Sequence, residues 1–539
     1  MGDPRDISER LAVIDLGSNS FRLVVFRADG GWWRRTDEIY EPVRIGEGLA
    51  ATGRLGEEPM RRALATLDVF DHFCRAAGLG EGAVDGVATS AIRDAANAKG
   101  FLALAREQTR LPIRVLSREQ EARYAYLAAV NSTTLSDGCV LDLGGGSLQL
   151  VQVRDRLACE LGSWRLGAVR MTERFLPANG PAKRRQIEEL RDHVARELAG
   201  ADWLADAGPR LVGMGGTVRN LAVAAQRATG MPSGSVQAAV VPGEVVDELV
   251  QRLAALPASQ RSSVPGIKPA RADLILAGAI VIQGALLAGG FEQLEVTEAG
   301  LREGVFFERL LTGSGTLAKP VSTGSVGSIG SLDRDPPLFA ELRRTSVLNL
   351  AAQYRSDTAH TDHVANLALG MFDELARLGL HPGDRGEREL LWAACMLHDI
   401  GMSVDYDDHH KHSRYLILNG GLPGYSPVEV AIVAQAARYH RKGMPDPGPM
   451  AALFGAGDAE RLDRCAVLLR LAEDLERSRD QLVRGTRFAV APGNGAGGAG
   501  HGIELRLISD GETAVPRWAA RRESELFAKA FGQPLLVAA

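Results

Sequence analysis

Two stretches of the chain place an acid at the mouth of a turn built from small residues: Val13-Ile14-Asp15-Leu16-Gly17-Ser18-Asn19-Ser20 and Val140-Leu141-Asp142-Leu143-Gly144-Gly145-Gly146-Ser147. An apolar run precedes each acid, and a second one follows each turn (Phe21 to Phe26; Leu148 to Val153). That pattern predicts a β-hairpin with a tight turn. Glycines let the backbone come close to a bound anion, since no Cβ stands in the way. Successive N–H groups in such a turn form an anion-binding nest, and an adjacent Asp can hold a divalent cation. One such hairpin is a weak signal. Two of the same design predict two similar lobes facing a shared cleft for phosphate and metal.

The elements that would position these turns are read from pattern and composition. At 539 residues the chain has length for about three or four domains of ~150 residues, and 45% hydrophobic residues suffice for globular cores. From about residue 10 to 130, strand patterns (Val84 to Ala88, Ile113 to Leu116) alternate with helical ones (Glu57 to Ala77, Glu121 to Val130). Residues 131–311 repeat the scheme, with a second Gly-rich turn after a strand at Leu211-Val212-Gly213-Met214-Gly215-Gly216-Thr217. The fold class expected is therefore α/β: two lobes with mixed sheets and flanking helices. Residues 312–337, rich in Gly, Ser and Thr, have the composition of a flexible linker. Residues 338–482 carry apolar residues at helical spacing (Val364, Leu367, Ala368, Met371, Phe372, Leu375). A Gly-rich break then precedes a small α+β piece within 483–539.

Charge and cysteine usage narrow the class. A net charge of −5 excludes a protein that coats nucleic acid, so positive charge for a polyanion must be local, as in Lys183-Arg184-Arg185, Arg343-Arg344 or Arg438 to Lys442. Taken singly, each run reads as a solvated face. Five scattered cysteines without a C-x-x-C pair point to reduced thiols. The charged N-terminus and the Gly/Ala-broken run Leu274 to Phe291 predict neither a signal peptide nor a membrane span. The expectation is a cytoplasmic protein without nucleic-acid or membrane partners.

With these motifs in order, the chain resembles the exopolyphosphatase/guanosine-pentaphosphate phosphatase (Ppx/GppA) family of the actin-like ATPase (ribonuclease H-like) superfamily. The residues carrying the likeness are Ile14 to Phe21, Ala88 to Arg93, Ser117 to Arg123, Asp142 to Ser147, Gly213 to Thr217 and Pro265 to Pro269. They cover residues 10 to 310 firmly, and longer members carry an all-α HD-like domain behind the two lobes. The resemblance implies Mg²⁺ (or Mn²⁺) and hydrolysis of terminal phosphoanhydride bonds of inorganic polyphosphate or guanosine pentaphosphate. It implies Glu121 as the base that activates water, with Glu119 as fallback, and Asp142 as the metal-associated acid. Arg93 matches a phosphate-contacting arginine, whose planar fork suits bidentate capture. Asp15, Gly17, Ser18, Asn19 and Ser20 would cradle phosphate from one lobe; Gly144, Gly145, Gly146, Ser147, Gly215, Gly216 and Thr217 would do so from the other. Without the resemblance, Glu121 reads as an acid complementing a helix dipole, and Arg93 as a surface ion pair.

One departure bears on activity. The family has Ser-Thr-Glu after the triple glycine, where this chain has Ser147-Leu148-Gln149. Gln149 retains an oxygen ligand but loses the charge, which makes it a poorer partner for a hard cation. Arg118 also replaces a common Gly. The helical region holds a second constellation that looks like an HD-type metal phosphohydrolase signature: His363, His398-Asp399, His409-His410-x-His412, His440 and Glu473-Asp474. His363, His398, Asp399, His412, His440 and Glu473 are its expected ligands for a second divalent metal. They read equally as relics of a degenerate HD fold, since many longer polyphosphatases have lost the pair. Two alternatives therefore stand beside the exopolyphosphatase reading: an HD-domain metal phosphohydrolase with regulatory lobes, and a catalytically weak polyphosphate or alarmone sensor. A sugar kinase or actin-like ATPase fits less well, because no adenine-site signature is present. Family members are often dimers, which leaves a homodimer open.

Overall fold

The apolar runs flanking Asp15 form β1 (Glu9–Leu16) and β2 (Phe21–Asp29), paired antiparallel so that Asp15 stands opposite Arg22. This is a computed structural model, and it describes residues 9–80, 82–177, 180–231, 234–312, 335–491 and 502–538. The linker expected at 312–337 lies outside the described residues from 313 to 334, as does the Gly-rich break from 492 to 501. Residues up to Leu342 form one compact unit and those from Arg343 another.

The first sheet is completed by β3 (Trp32–Glu41), β4 (Val84–Ala88) and β5 (Ile113–Val115), in the order β3-β2-β1-β4-β5. β4 runs parallel to β1 and β5 parallel to β4. In β1, residues 11–14 are all buried because both faces of a central strand are covered, which removes the alternation expected of a half-exposed one. The edge strand β3 exposes Arg34 through Glu38, charges that discourage pairing with another chain.

The second sheet repeats the plan with β6 (Gly138–Leu143), β7 (Leu148–Arg154), β8 (Leu157–Trp164), β9 (Leu211–Met214), β10 (Val240–Pro242) and β11 (Gln293–Val296). Its order, β10-β11-β9-β6-β7-β8, reads from the other end as the first sheet's order with one extra antiparallel strand at the edge. Asp142 stands opposite Gln149, the register position Arg22 holds against Asp15. Cross-strand partners share a face, so Gln149 is the residue beside Asp142.

The helix Arg118–Val130 begins earlier than the apolar pattern indicated, because Ser117 and Gln120 form a capping box. It is buried from Tyr124 to Val130 and shares its core with Val305 and Phe306 of the helix Leu301–Thr312. The run Leu274 to Phe291 contributes the helix Ile275–Gly289, buried through most of its length. Among the described residues no helix is long and apolar enough to cross a membrane.

The second unit is helical from Leu342–Gln353 to Asp458–Leu475, followed by a sheet of β12 (Val483–Val490), β13 (Ile503–Ser509) and β14 (Leu535–Val537) in the order β12-β13-β14. Two helices, Ala514–Arg521 and Ser524–Phe531, accompany this sheet. Val483, Ile503, Leu505 and Phe527 belong to the same core as Leu391, Val433 and Leu469, so sheet and helices bury one another.

Candidate active site

Each Asp-led turn closes with the same hydrogen bond: Gly17 N–H donates to Ser20 O at 3.2 Å, and Gly144 N–H to Ser147 O at 3.0 Å. The two turns approach each other. A Cβ added to Gly145 would stand 3.0 Å from Ser18 Cβ and 3.4 Å from Asn19 N, and one on Gly146 would lie 2.8 Å from Ser18 Oγ. Ser18 Oγ is in turn 3.1 Å from Ser90 Oγ, just after β4. Between the turns lies a cleft of about 120 Å³, lined by Asp15, Gly17 to Ser20, Glu121, Asp142, Gly144, Gly145, Gly215 and Gly216.

The cleft carries both charges. Asp15, Glu121 and Asp142 face Arg22, Arg219, Arg271 and Arg302, and Arg302 Nη1 donates to Asp15 Oδ2 at 3.3 Å. These four arginines were not foreseen. Arg22 was legible in hindsight, since hairpin register sets it opposite Asp15; the others arrive from distant segments. Asn19 Nδ2 is buried without a hydrogen-bond partner, a donor in a cleft wall where a phosphate oxygen would satisfy it.

Glu121 is held from two sides. Arg93 Nη1 donates to its Oε2 at 2.7 Å, and Ser147 Oγ donates to its Oε1 at 3.2 Å. Burial raises the Glu121 carboxyl above its ordinary range, against the pull of Arg93. Arg93 itself does not line the cleft: the same Nη1 also bonds Leu116 O at 3.0 Å. It holds the Glu121 carboxylate in place. Thr217 is likewise outside the cleft lining, buried on the first turn of the helix Gly216–Ala228 beside Gly278 of the helix Ile275–Gly289. Glu119 lies two residues before Glu121 on the same helix, outside the cleft lining.

Burial pushes the Asp142 carboxyl up to about 7, with Glu121 and Asp15 adding repulsion and Arg219 and Arg302 opposing it. Burial likewise raises Asp15, while Arg302 and Arg22 pull it down. Such crowded carboxylates fit a divalent cation. So does Gln149, whose Nε2 donates to Ser147 Oγ at 2.8 Å while its buried Oε1 has no partner. A carboxyl that ionises near 7 when folded and near ~4 when unfolded favours the folded state in acid and loses that contribution as pH rises between the two values. In metal-free protein the thermal midpoint is therefore expected to fall between about pH 4 and 7. Asp142→Asn should flatten that fall by removing one of the three neighbouring carboxylates. Thermal scans of both proteins across this range check it, and parallel slopes would contradict the assignment.

The second constellation also comes together, with two exchanges. His360 and His409 stand in the cluster where His363 and His412 were expected. His360 Nε2 lies 3.0 Å from Glu473 Oε2, and His409 Nε2 lies 3.0 Å from His440 Nε2. His363 instead bonds Val483 O at 3.0 Å, and His412 is half-buried away from the group. Residues three apart lie on neighbouring sides of one helix face, so spacing alone does not tell 360 from 363 or 409 from 412. His398, Asp399, His440 and Glu473 are in the group as expected, whereas Asp474 accepts from Arg477 at 3.1 Å.

Residues 24–313 match the Ppx/GppA phosphatase family, and residues 342–491 match domain III of Ppx/GppA phosphatases. The chain is similar to a solved exopolyphosphatase-like protein, at 26% identity and a TM-score of 0.51 over 55% of this chain and 96% of the other. An exopolyphosphatase from Cytophaga hutchinsonii shares the fold at 21% identity and a TM-score of 0.53, over 57% of this chain and all of its own. A Ppx/GppA family member from Aquifex aeolicus is 29% identical over 55% of this chain and 96% of its own, with a TM-score of 0.48. Since the family match alone spans more than half of the 539 residues, the chain belongs to the Ppx/GppA phosphatase family.

Proposed function

We propose that the chain hydrolyses the terminal phosphoanhydride of inorganic polyphosphate, with the 5′ γ-phosphate of guanosine pentaphosphate as the second candidate. The observation that supports this reading best is Glu121 in the cleft wall, oriented by Arg93 and Ser147 between two facing glycine turns. Phosphoryl transfer asks the protein for positioning, charge neutralisation and an oriented nucleophile, with little covalent work. In this reading the turn amides, Asn19 Nδ2 and the guanidinium groups of Arg219 and Arg302 hold the terminal phosphoryl oxygens. Glu121 accepts a proton from the water that attacks phosphorus. The bond to the bridging oxygen breaks, and the shortened chain leaves with that electron pair. Asp142, with Asp15 and the amide oxygen of Gln149, would hold the Mg²⁺, which supplies further neutralisation of the phosphate charge when bound.

The preference for polyphosphate rests on a second cavity of about 700 Å³, lined by Arg118, Arg165, Arg170, Arg174 and His193 together with Glu173 and Glu197. Arg170 Nε also donates to Gly146 O at 3.2 Å, so the cavity abuts the triple-glycine turn. A run of anionic phosphates could continue into it, since four arginines against two glutamates leave the lining net positive, which raises the local concentration of a polyanion.

The test is phosphate release from long-chain polyphosphate and from guanosine pentaphosphate, side by side, with and without Mg²⁺. Wild type should release phosphate from polyphosphate only with Mg²⁺, and Glu121→Ala should abolish it. Tight polyphosphate binding without release would favour the sensor reading, which the missing acid at Gln149 motivates. Release that survives Glu121→Ala and disappears in His398→Ala would assign the chemistry to the helical unit.

A further inference from the structure

We infer that the helical unit holds a pair of divalent first-row transition cations, with Asp399 bridging them. Two ligand groups share that residue: His360, His398 and Asp399 in one, Asp399, His409 and His440 in the other. Both Asp399 oxygens lie among the histidines, and Oδ1 is near members of each group. Oδ1 lies 3.3 Å from His409 Nε2, 3.8 Å from His440 Nε2 and 3.6 Å from His398 Nε2, while Oδ2 lies 3.9 Å from His360 Nε2. Glu473 Oε2 joins the first group, 3.0 Å from His360 Nε2 and 3.3 Å from His398 Nε2. Ligand atoms about 2.1 Å from a common ion stand roughly 3.0–3.4 Å apart, so much of this spacing is already that of shared coordination.

The imidazole tautomers carry the argument further. His398 Nδ1 bonds Cys395 O, His409 Nδ1 bonds Tyr406 O and His440 Nδ1 bonds Ala437 O, each at 2.7 Å and each three residues back in the chain. A carbonyl can only accept, so each Nδ1 carries the proton, and the neutral form of each ring, the form that binds metal, turns an Nε2 lone pair inward. That is the outer-shell arrangement that orients metal-ligating histidines. The lone pairs of His409 and His440 then point at each other across 3.0 Å, in a buried site. In their neutral forms these two acceptors at hydrogen-bond distance lack a donor, a need that one shared proton or a cation meets. His398 Nε2 is fully buried and makes no hydrogen bond, a second unmet ligand atom aimed at the same point. Four imidazoles with two carboxylates suit Mn²⁺, Fe²⁺, Co²⁺ or Zn²⁺ over Mg²⁺, which prefers oxygen and retains water. Arg479 Nη2 donates to Asp399 Oδ2 at 2.8 Å. A carboxylate oxygen has a second lone pair, so this bond and a metal bond are compatible.

The site is independent of the glycine-turn cleft, and its test does not read phosphate release. The full chain, stripped by chelator and reloaded with Zn²⁺ or Co²⁺ in excess Mg²⁺, should retain about two equivalents after gel filtration. His440→Ala should drop to about one, as should His360→Ala, and Asp399→Asn should retain almost none. Glu121→Ala should keep both ions. Co²⁺ absorption on wild type alone provides the readout if a variant fails to fold: intense d–d bands saturating at about two equivalents support the pair. Fewer than one equivalent on wild type, or an Asp399→Asn variant that holds as much metal as wild type, would overturn the inference. One equivalent unchanged by His440→Ala would overturn the bridge.

Discussion

Glu121→Gln is expected to lower phosphate release by about 10²–10⁴-fold with little change in KM. The amide keeps the shape and can still meet Arg93 and Ser147, but it cannot take a proton from water. The effect should therefore fall on kcat, since the turns, Asn19 and the cleft arginines that bind phosphate are untouched. Stability should change little in either direction. Arg93 loses a charged partner yet keeps its bond to Leu116 O, while Asp142 loses a repulsive neighbour. Steady-state kinetics on polyphosphate with a thermal scan of each protein separate the two effects. A fall of less than about tenfold would remove Glu121 from the role of base.

Gly167→Ala should cost both stability and activity, although its backbone is in an ordinary extended conformation (φ −64°, ψ 150°). The cause is space. A Cβ at this position would overlap the backbone of Gly145 and Gly146. Gly167 precedes the helix Ala168–Phe175, whose first N–H groups tie it to the turn: Ala168 donates to Gly144 O at 3.0 Å and Val169 to Gly145 O at 2.8 Å. Overlap with main chain cannot be relieved by a rotamer change, so the helix must retreat and these bonds lengthen. Overpacking of this kind costs about 1–3 kcal/mol, and a misplacement on the order of 1 Å near a reacting centre costs about 10²-fold in rate. Denaturant unfolding with kinetics of the same variant checks both. Wild-type values in the two measurements would mean that the contact is looser than drawn.

Gly167 also shows where sequence reading stops. Nothing in its neighbourhood marks it, whereas the triple glycine beside it is conspicuous; its requirement comes from a segment more than twenty positions away. The four cleft arginines teach the same lesson. Arg22 is tied to Asp15 by local register, but Arg219, Arg271 and Arg302 come from separate turns of the second lobe and meet only in the folded chain. Type and motif point to Arg93 as a phosphate ligand; that it pairs with Glu121 emerges only from the folded chain. In the helical unit, chemistry was legible as a surplus of histidines, but the choice of His360 over His363 and His409 over His412 depends on which side of each helix packs inward.

What the amino-acid order determined by itself was local: two hairpins with an acid at each mouth, alternating strands and helices, a helical second unit, and a capped helix bearing Glu121. Those follow from hydrogen bonding and side-chain periodicity over a few residues. Tertiary packing alone decided which lone pairs, amides and guanidinium groups face one another. Such meetings join residues tens to hundreds of positions apart, and no short-range periodicity carries that information.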